Sequence, residues 1–265
     1  MHDTLAALVE RALTGNHRPL EFYLRDNSRL PGPRANLELA DDVSNLLASF
    51  VSRCPDNVRS LLHYFVNGER KMVTSNSPSE FLMLCGIIGL GVCASVQPDW
   101  REETFMTLDH YACSPCWRVR EGVAIAFQHL LQADTTQTLA HLQSLAETGN
   151  WLQQRAAIAA VAEPILLKSL DIVPGALQMQ RTVLERVRQV PEGERKQEEF
   201  RTLRRSLAYT LSVVTAAAPA DGFALMRECA SWHDAVITWI LRENLKKKRL
   251  AKYANDAREV ARLLE

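Results

Sequence analysis

Apolar residues recur along this chain at helical rather than strand spacing. Leu5, Leu8, Val9 and Leu13 stand at i, i+3, i+4 and i+8 and predict an amphipathic helix over 4–13, stopped by Gly15-Asn16. A short aromatic helix follows over 20–24, ended by Asp26-Asn27-Ser28. Leu30-Pro31-Gly32-Pro33-Arg34 reads as irregular, because two prolines remove donors and Gly32 bends freely. Helices are expected again over about 36–51 and 56–66. Ser77-Pro78-Ser79-Glu80 is a helix start, with Ser77 as cap, Pro78 first in the helix and Glu80 reaching back to close a capping box. In the apolar run that follows, Gly86, Gly89 and Gly91 are expected to let neighbouring helices approach. No strand precedes them and their order is not that of a dinucleotide loop.

Beyond Trp100 the helices fall into pairs: about 100–112 with 114–132, 135–147 with 150–169, 173–189 with 197–217, and 219–229 with 231–247, then a tail over 250–264. Ser114-Pro115 is read as cap and first residue of the second of these helices. Asn67-Gly68 and Asp221-Gly222 are flanked by helical patterns and do not predict hairpins. One opening phrase recurs: Ser114-Pro115-Cys116-Trp117-Arg118, Asn150-Trp151-Leu152, Ser231-Trp232-His233, with Ser77-Pro78 as an earlier relative. Pro78 to Pro115 is 37 residues and Trp117 to Trp151 is 34, a period that signals stacked helix pairs. Each pair needs its neighbours to bury its apolar face. A single array over 1–265 is expected, less regular over 1–70 and clearer over 71–265.

Trp117-Arg118-Val119-Arg120-Glu121-Gly122-Val123-Ala124 resembles the second-helix opening of HEAT-repeat proteins, and Trp151 to Ala160 looks like another copy. The resemblance implies an all-α, right-handed superhelical solenoid of about six or seven HEAT-like antiparallel helix pairs. Val236-Ile237 with Trp239-Ile240-Leu241-Arg242-Glu243 is similar to a late helix of the AlkD-type alkylpurine DNA glycosylases, which are HEAT-like. That likeness implies a DNA-facing aromatic at Trp239, and Trp151-Leu152 with Arg155-Ala156-Ala157-Ile158 is similar to another helix of that family, which implies an arginine facing the DNA backbone at Arg155. The chain has no Trp-Asp-x-Val-Asp stretch to supply that family's acidic residue, and Arg155 and Trp239 stand 84 residues apart, about one repeat more than its pattern. No catalytic residue is therefore expected.

Composition narrows the classes. A hydrophobic content of 47% with 23% charged residues suits a folded chain, and 31 basic residues balance 31 acidic ones, which excludes a globally basic nucleic-acid binder. Met1-His2-Asp3 runs into an amphipathic stretch without a leader pattern, the apolar run over 81–96 reads as short of a membrane span, and six cysteines are widely spread. A cytoplasmic, reduced protein without membrane contact is the expectation.

Charge is nevertheless uneven. Between Arg181 and Lys252 there are fifteen Lys/Arg against nine Asp/Glu, densest at Lys246, Lys247, Lys248 and Arg249. Were Arg120, Arg155, Arg204, Arg205 and Arg242 to share a concave surface with these, they would track phosphates. Trp232 and Trp239, seven apart, would offer a stacking face, although a core role is the commoner fate of such residues. The positive cluster also suits the end of a helix over 231–247, and that structural reading is the favoured one. His110, Cys113 and Cys116 have metal-like spacing but lack a local fourth ligand. In Trp232-His233-Asp234 the adjacent acid and histidine point about 100° apart, so Asp234 reads as a first-turn acid. His63 and Tyr64 read as partly buried packing residues, and the Pro31-Gly32-Pro33 loop as a stiff turn. The leading expectation is a non-catalytic scaffold, without cofactor, binding a protein or peptide on its concave face. The alternative is a duplex-DNA-binding protein of the AlkD-like branch acting in alkylation repair.

Overall fold

A computed structural model describes residues 2–67 and 73–265. Among them are fourteen α-helices and no strand: α1 (His2–Leu13), α2 (Arg18–Asp26), α3 (Leu37–Phe50), α4 (Pro55–Asn67), α5 (Pro78–Val96), α6 (Arg101–Tyr111), α7 (Trp117–Ala133), α8 (Thr135–Thr148), α9 (Trp151–Val161), α10 (Val173–Gln189), α11 (Glu198–Ala217), α12 (Pro219–Ala230), α13 (Ala235–Leu245) and α14 (Ala254–Leu263). The all-α expectation holds. Asn67-Gly68 lies partly outside the described residues. The chain divides into two units, the first ending at Asp134 and the second running from Thr135 to Glu265.

In the first unit α5 is the spine. Phe81, Leu84, Cys85, Ile87, Ile88 and Cys93 are all at most 2% exposed, so no polar stripe remains, and α2, α3, α4, α6 and α7 pack around it. Each such Phe, Leu or Ile contributes roughly 1.5–3 kcal/mol through burial. The glycines make this packing close. A Cβ at Gly89 would stand 2.6 Å from the Leu62 side chain, and one at Gly91 2.6 Å from the Ala126 Cα, so these backbones touch where any side chain would separate them. Begun at Pro78, the helix has 19 residues and a mean hydropathy of 1.9. It is long and apolar enough to cross a membrane, contrary to the expectation, yet 78% of that stretch is buried inside the protein.

The start of α5 departs from a simple capping box. Ser77 Oγ accepts from the Glu80 N–H at 3.3 Å, but the Glu80 carboxylate accepts from Asn76 N–H at 2.6 Å instead of Ser77. The same carboxylate meets Arg118 Nη1 at 3.1 Å, with side-chain exposures of 0% and 5%. Arg118 also donates through Nη2 to Gly32 O at 2.6 Å, while Gly32 N–H donates to Asn76 Oδ1 at 3.0 Å. The Pro31-Gly32-Pro33 loop is thus pinned from beneath by α5 and α7. α7 itself opens at Trp117, with Cys116 at the cap position, rather than at Pro115. Ser114 Oγ instead accepts from Cys116 N–H at 3.2 Å, spending the serine on the turn.

In the second unit α11 is flanked by α9 and α13, while α10 touches α8 and α12, and α12 touches α14. Asn150 makes a full capping box with Gln153 at the start of α9. Two expected spans shorten. The helix expected over 150–169 stops at Val161, because Pro164 lacks an N–H and restricts Glu163 before it. The one expected over 231–247 begins only at Ala235. His233 has φ +52°, which breaks helical continuity, and Asp234 caps the new helix by accepting from Val236 and Ile237 N–H at 2.8 and 3.0 Å. Asn244, fully buried, locks α13 to α11 by accepting from Ser212 N–H at 2.7 Å and donating to Leu207 O at 2.9 Å. Asp221-Gly222 lies inside α12, where a Cβ on Gly222 would stand 2.5 Å from the Thr215 Cα.

Candidate functional site

Many basic side chains expected to reach a ligand are occupied by the chain's own oxygens. Arg120, in the first unit, donates to Ser114 O at 2.6 Å and Pro115 O at 3.2 Å. In the second unit Arg242 donates to Leu264 O at 2.6 Å and ties α13 to the end of α14. Arg186 and Arg195, which sequence reading had not singled out, act alike: Arg186 on the carbonyls of Glu147 and Gly149, Arg195 on those of Val190 and Arg188. The last carbonyls of a helix have no intrahelical partner, and a guanidinium is well suited to satisfy two at once. Carboxylates take further cations: Arg205 and Arg201 pair with Glu198, and Lys246 with Glu243. That contact with the Lys246 ammonium lowers the Glu243 carboxyl below its ordinary range.

Three cations differ. The Arg204 guanidinium lies over the Trp239 ring at 4.3 Å, its Nε buried and without a hydrogen bond. The Arg249 guanidinium lies over Tyr209 at 4.4 Å, and Lys247 Nζ stands 6.0 Å from the same ring. Among the described residues none of the three is paired with a carboxylate. Arg204 and Tyr209 both belong to α11, and Trp239 to α13. Lys247 follows the end of α13, and Arg249 lies in the 3-10 turn Lys248–Tyr253. Tyr209 is 49% exposed. Arg201, Arg205 and Tyr209, at four-residue spacing, are all exposed on the outer stripe of α11. Lys248 is exposed beside them in sequence, and Arg155 is half-buried on the neighbouring α9. Trp239 thus joins part of the basic set expected of it, and Tyr209, which had no local sequence signal, completes the group.

Other candidates separate. Trp232 precedes α13 instead of sharing a face with Trp239; Arg188 covers it at 5.3 Å. Neither indole belongs to the core, since both are half-buried. Asp234 is the cap of α13, not a first-turn acid, and its carboxylate meets Arg195 at 2.8 Å, so it does not orient His233 as a base. Among the described residues no three His, Cys, Asp or Glu side chains could hold a metal. The metal-like triad is not assembled: His110 lies edge-on to Tyr111, Cys113 Sγ faces Asp109 O at 3.9 Å, and Cys116 Sγ faces Val73 O at 3.5 Å. Burial, followed by the Glu80 charge, pushes the Cys116 thiol upward, the opposite of what a thiolate ligand needs. His63 contacts Glu103 at 3.4 Å, and the Tyr64 hydroxyl donates to Glu21 at 2.5 Å. Both are half-buried, as expected, and each also carries a polar contact.

Compared with protein-family models and with curated proteins, the chain matches none.

Proposed function

We propose that the protein is a non-catalytic binding scaffold whose second unit presents the α9, α11 and α13 side to a protein segment, its helix pairs being HEAT-like. The observation that carries this reading is α11 itself. It is packed between α9 and α13, as the middle of a repeated row would be. Its outward stripe keeps Arg201, Arg205 and Tyr209 exposed, while Arg204 and Trp239 stack at its edge. Asp234, the acid beside His233, is committed to a helix cap and an ion pair. The test is site-specific photocrosslinking in cells. A crosslinker at Thr202 or Tyr209 gives a discrete protein adduct, and one at Gln178, exposed on α10, does not. Equal adducts from both positions, or none from either, sink the proposal.

A second reading, DNA binding in an AlkD-like manner, draws on Trp239 with Arg204 and on Lys246 to Arg249. A gel shift on duplex and abasic DNA at low salt tests it, since phosphate contacts weaken steeply with added salt. Absence of any shifted species at low salt removes it.

A further inference from the structure

We infer that the Arg204–Trp239 and Lys247–Arg249–Tyr209 groups form one seat for an acidic linear segment of a partner protein, two or three carboxylates long. The inference rests on the scaffold reading and adds the chemistry of what is bound. A guanidinium stacked on a ring has lost much of its freedom, yet stacking does not use its in-plane N–H groups, which can donate to a carboxylate. Arg204 and Arg249 are both held this way, at 4.3 and 4.4 Å from their rings. The Arg204 Nε–H is buried without a partner, so its contribution to the seat is charge and the outer guanidinium nitrogens rather than Nε. Lys247 adds a point charge beside Tyr209. The rings supply apolar edges for the aliphatic stems of the incoming residues.

Three features favour carboxylates on a peptide over a phosphate backbone. Trp239 and Tyr209 already carry cations on their faces, so a base stacking there displaces one. The surrounding positive residues are taken up by acids, Glu198 pairing with Arg201 and Arg205 and Glu243 with Lys246, which leaves no continuous track of free cations for a phosphate backbone. Three unpaired cations are also fewer than the about 6–10 phosphate contacts of a typical duplex binder, but they match two or three carboxylates.

The experiment is fluorescence anisotropy on the full chain with a labelled peptide of alternating Glu and Leu, its Gln-for-Glu counterpart, a phosphoserine peptide and duplex DNA. The Glu peptide binds, and the Gln counterpart binds about tenfold or more weakly, since each charge-assisted bond lost is worth about a factor of ten. Arg204→Gln and the pair Lys247→Gln with Arg249→Gln each weaken the Glu peptide by a similar factor. Arg53→Gln, a ring-stacked arginine in the first unit, leaves it unchanged. Far-UV circular dichroism shows that each variant is folded. Equal binding of the Gln peptide, full binding by the variants, or tighter binding of DNA or the phosphopeptide overturns the inference. If the Glu peptide fails while Tyr209 still crosslinks a protein in cells, the chemistry proposed here falls and the scaffold reading survives; if both fail, both fall.

Discussion

Replacing Arg118 by methionine isolates the internal device that holds the first unit's loop. The guanidinium supplies Nη1 to Glu80 at 3.1 Å and Nη2 to Gly32 O at 2.6 Å, with the two side chains 5% and 0% exposed. Methionine keeps most of the volume and removes both bonds. Among the described residues the Glu80 carboxylate then retains two backbone donors, Asn76 N–H at 2.6 Å and residue 118 N–H at 3.3 Å, for a charge buried away from water. Breaking a buried pair from one side costs about 3–5 kcal/mol, and for a unit of this size that lowers its midpoint by roughly 10 °C or more. A second substitution, Glu80→Gln in the Arg118→Met background, removes the stranded charge and recovers part of the loss, because a neutral amide needs no counter-charge. Thermal unfolding followed by circular dichroism gives the midpoints, and limited proteolysis reports release of the Pro31–Pro33 loop. The reasoning is refuted by an Arg118→Met midpoint within measurement error of the parent, or by a double variant less stable than Arg118→Met alone.

Cysteine labelling tests burial residue by residue. Cys113 is exposed, whereas burial pushes Cys93 and Cys229 up to about 12 and Cys85 higher still. Maleimide under native conditions therefore modifies Cys113 first, and mass spectrometry finds Cys85, Cys93 and Cys229 modified only after denaturation. Gly91→Leu forces a side chain against the Ala126 Cα and costs about 1–3 kcal/mol or more in urea unfolding, while Gly193→Ala, with open space around it, is tolerated; equal effects count against the close helix contact. Burial lowers the His129 pKa below its ordinary 6.5, against the opposing pull of Asp41. A histidine that resists protonation when folded stabilises least in acid, so the stability of the first unit falls as pH drops from about 8 to 5. His129→Gln flattens that slope, and an unchanged slope would show that other groups set it.

What the sequence made legible was local. The span 173–189 is α10 as observed, Asn150-Trp151-Leu152-Gln153 carries its capping box in plain view, and the glycine triplet of α5 announces close helix contact. Errors came where a local signal competed with a stronger one. An apolar run carried the expected helix through Pro164, although proline ends it for want of a donor. Ser231-Trp232 looked like an earlier opening phrase, although Asp234 was the better cap and His233 turns left-handed before it. The Glu80–Arg118 pair spans 38 residues and was hidden for a different reason. Each partner had a sufficient local role, one as capping-box acid and one as repeat arginine, and only packing of α5 on α7 brings them together.

The basic stretch makes the same point about function. Sequence reading counts a positive surplus between Arg181 and Lys252, favours a solvated helix end for it and keeps a phosphate ligand as the alternative; the structure shows that these arginines have two uses of similar appearance. Arg186, Arg195 and Arg242 donate to carbonyls near the ends of helices, so their donors are committed within the fold although each keeps its charge. Arg204, Lys247 and Arg249 sit against rings instead, unpaired with any carboxylate among the described residues. What separates the two uses is the partner: a carbonyl accepts and neutralises the donors, whereas an aromatic face fixes the cation and leaves its donors unspent. Tyr209 stands 40 residues before the arginine it holds. Charge density along the chain therefore does not distinguish these two uses; the aromatic neighbour in space does.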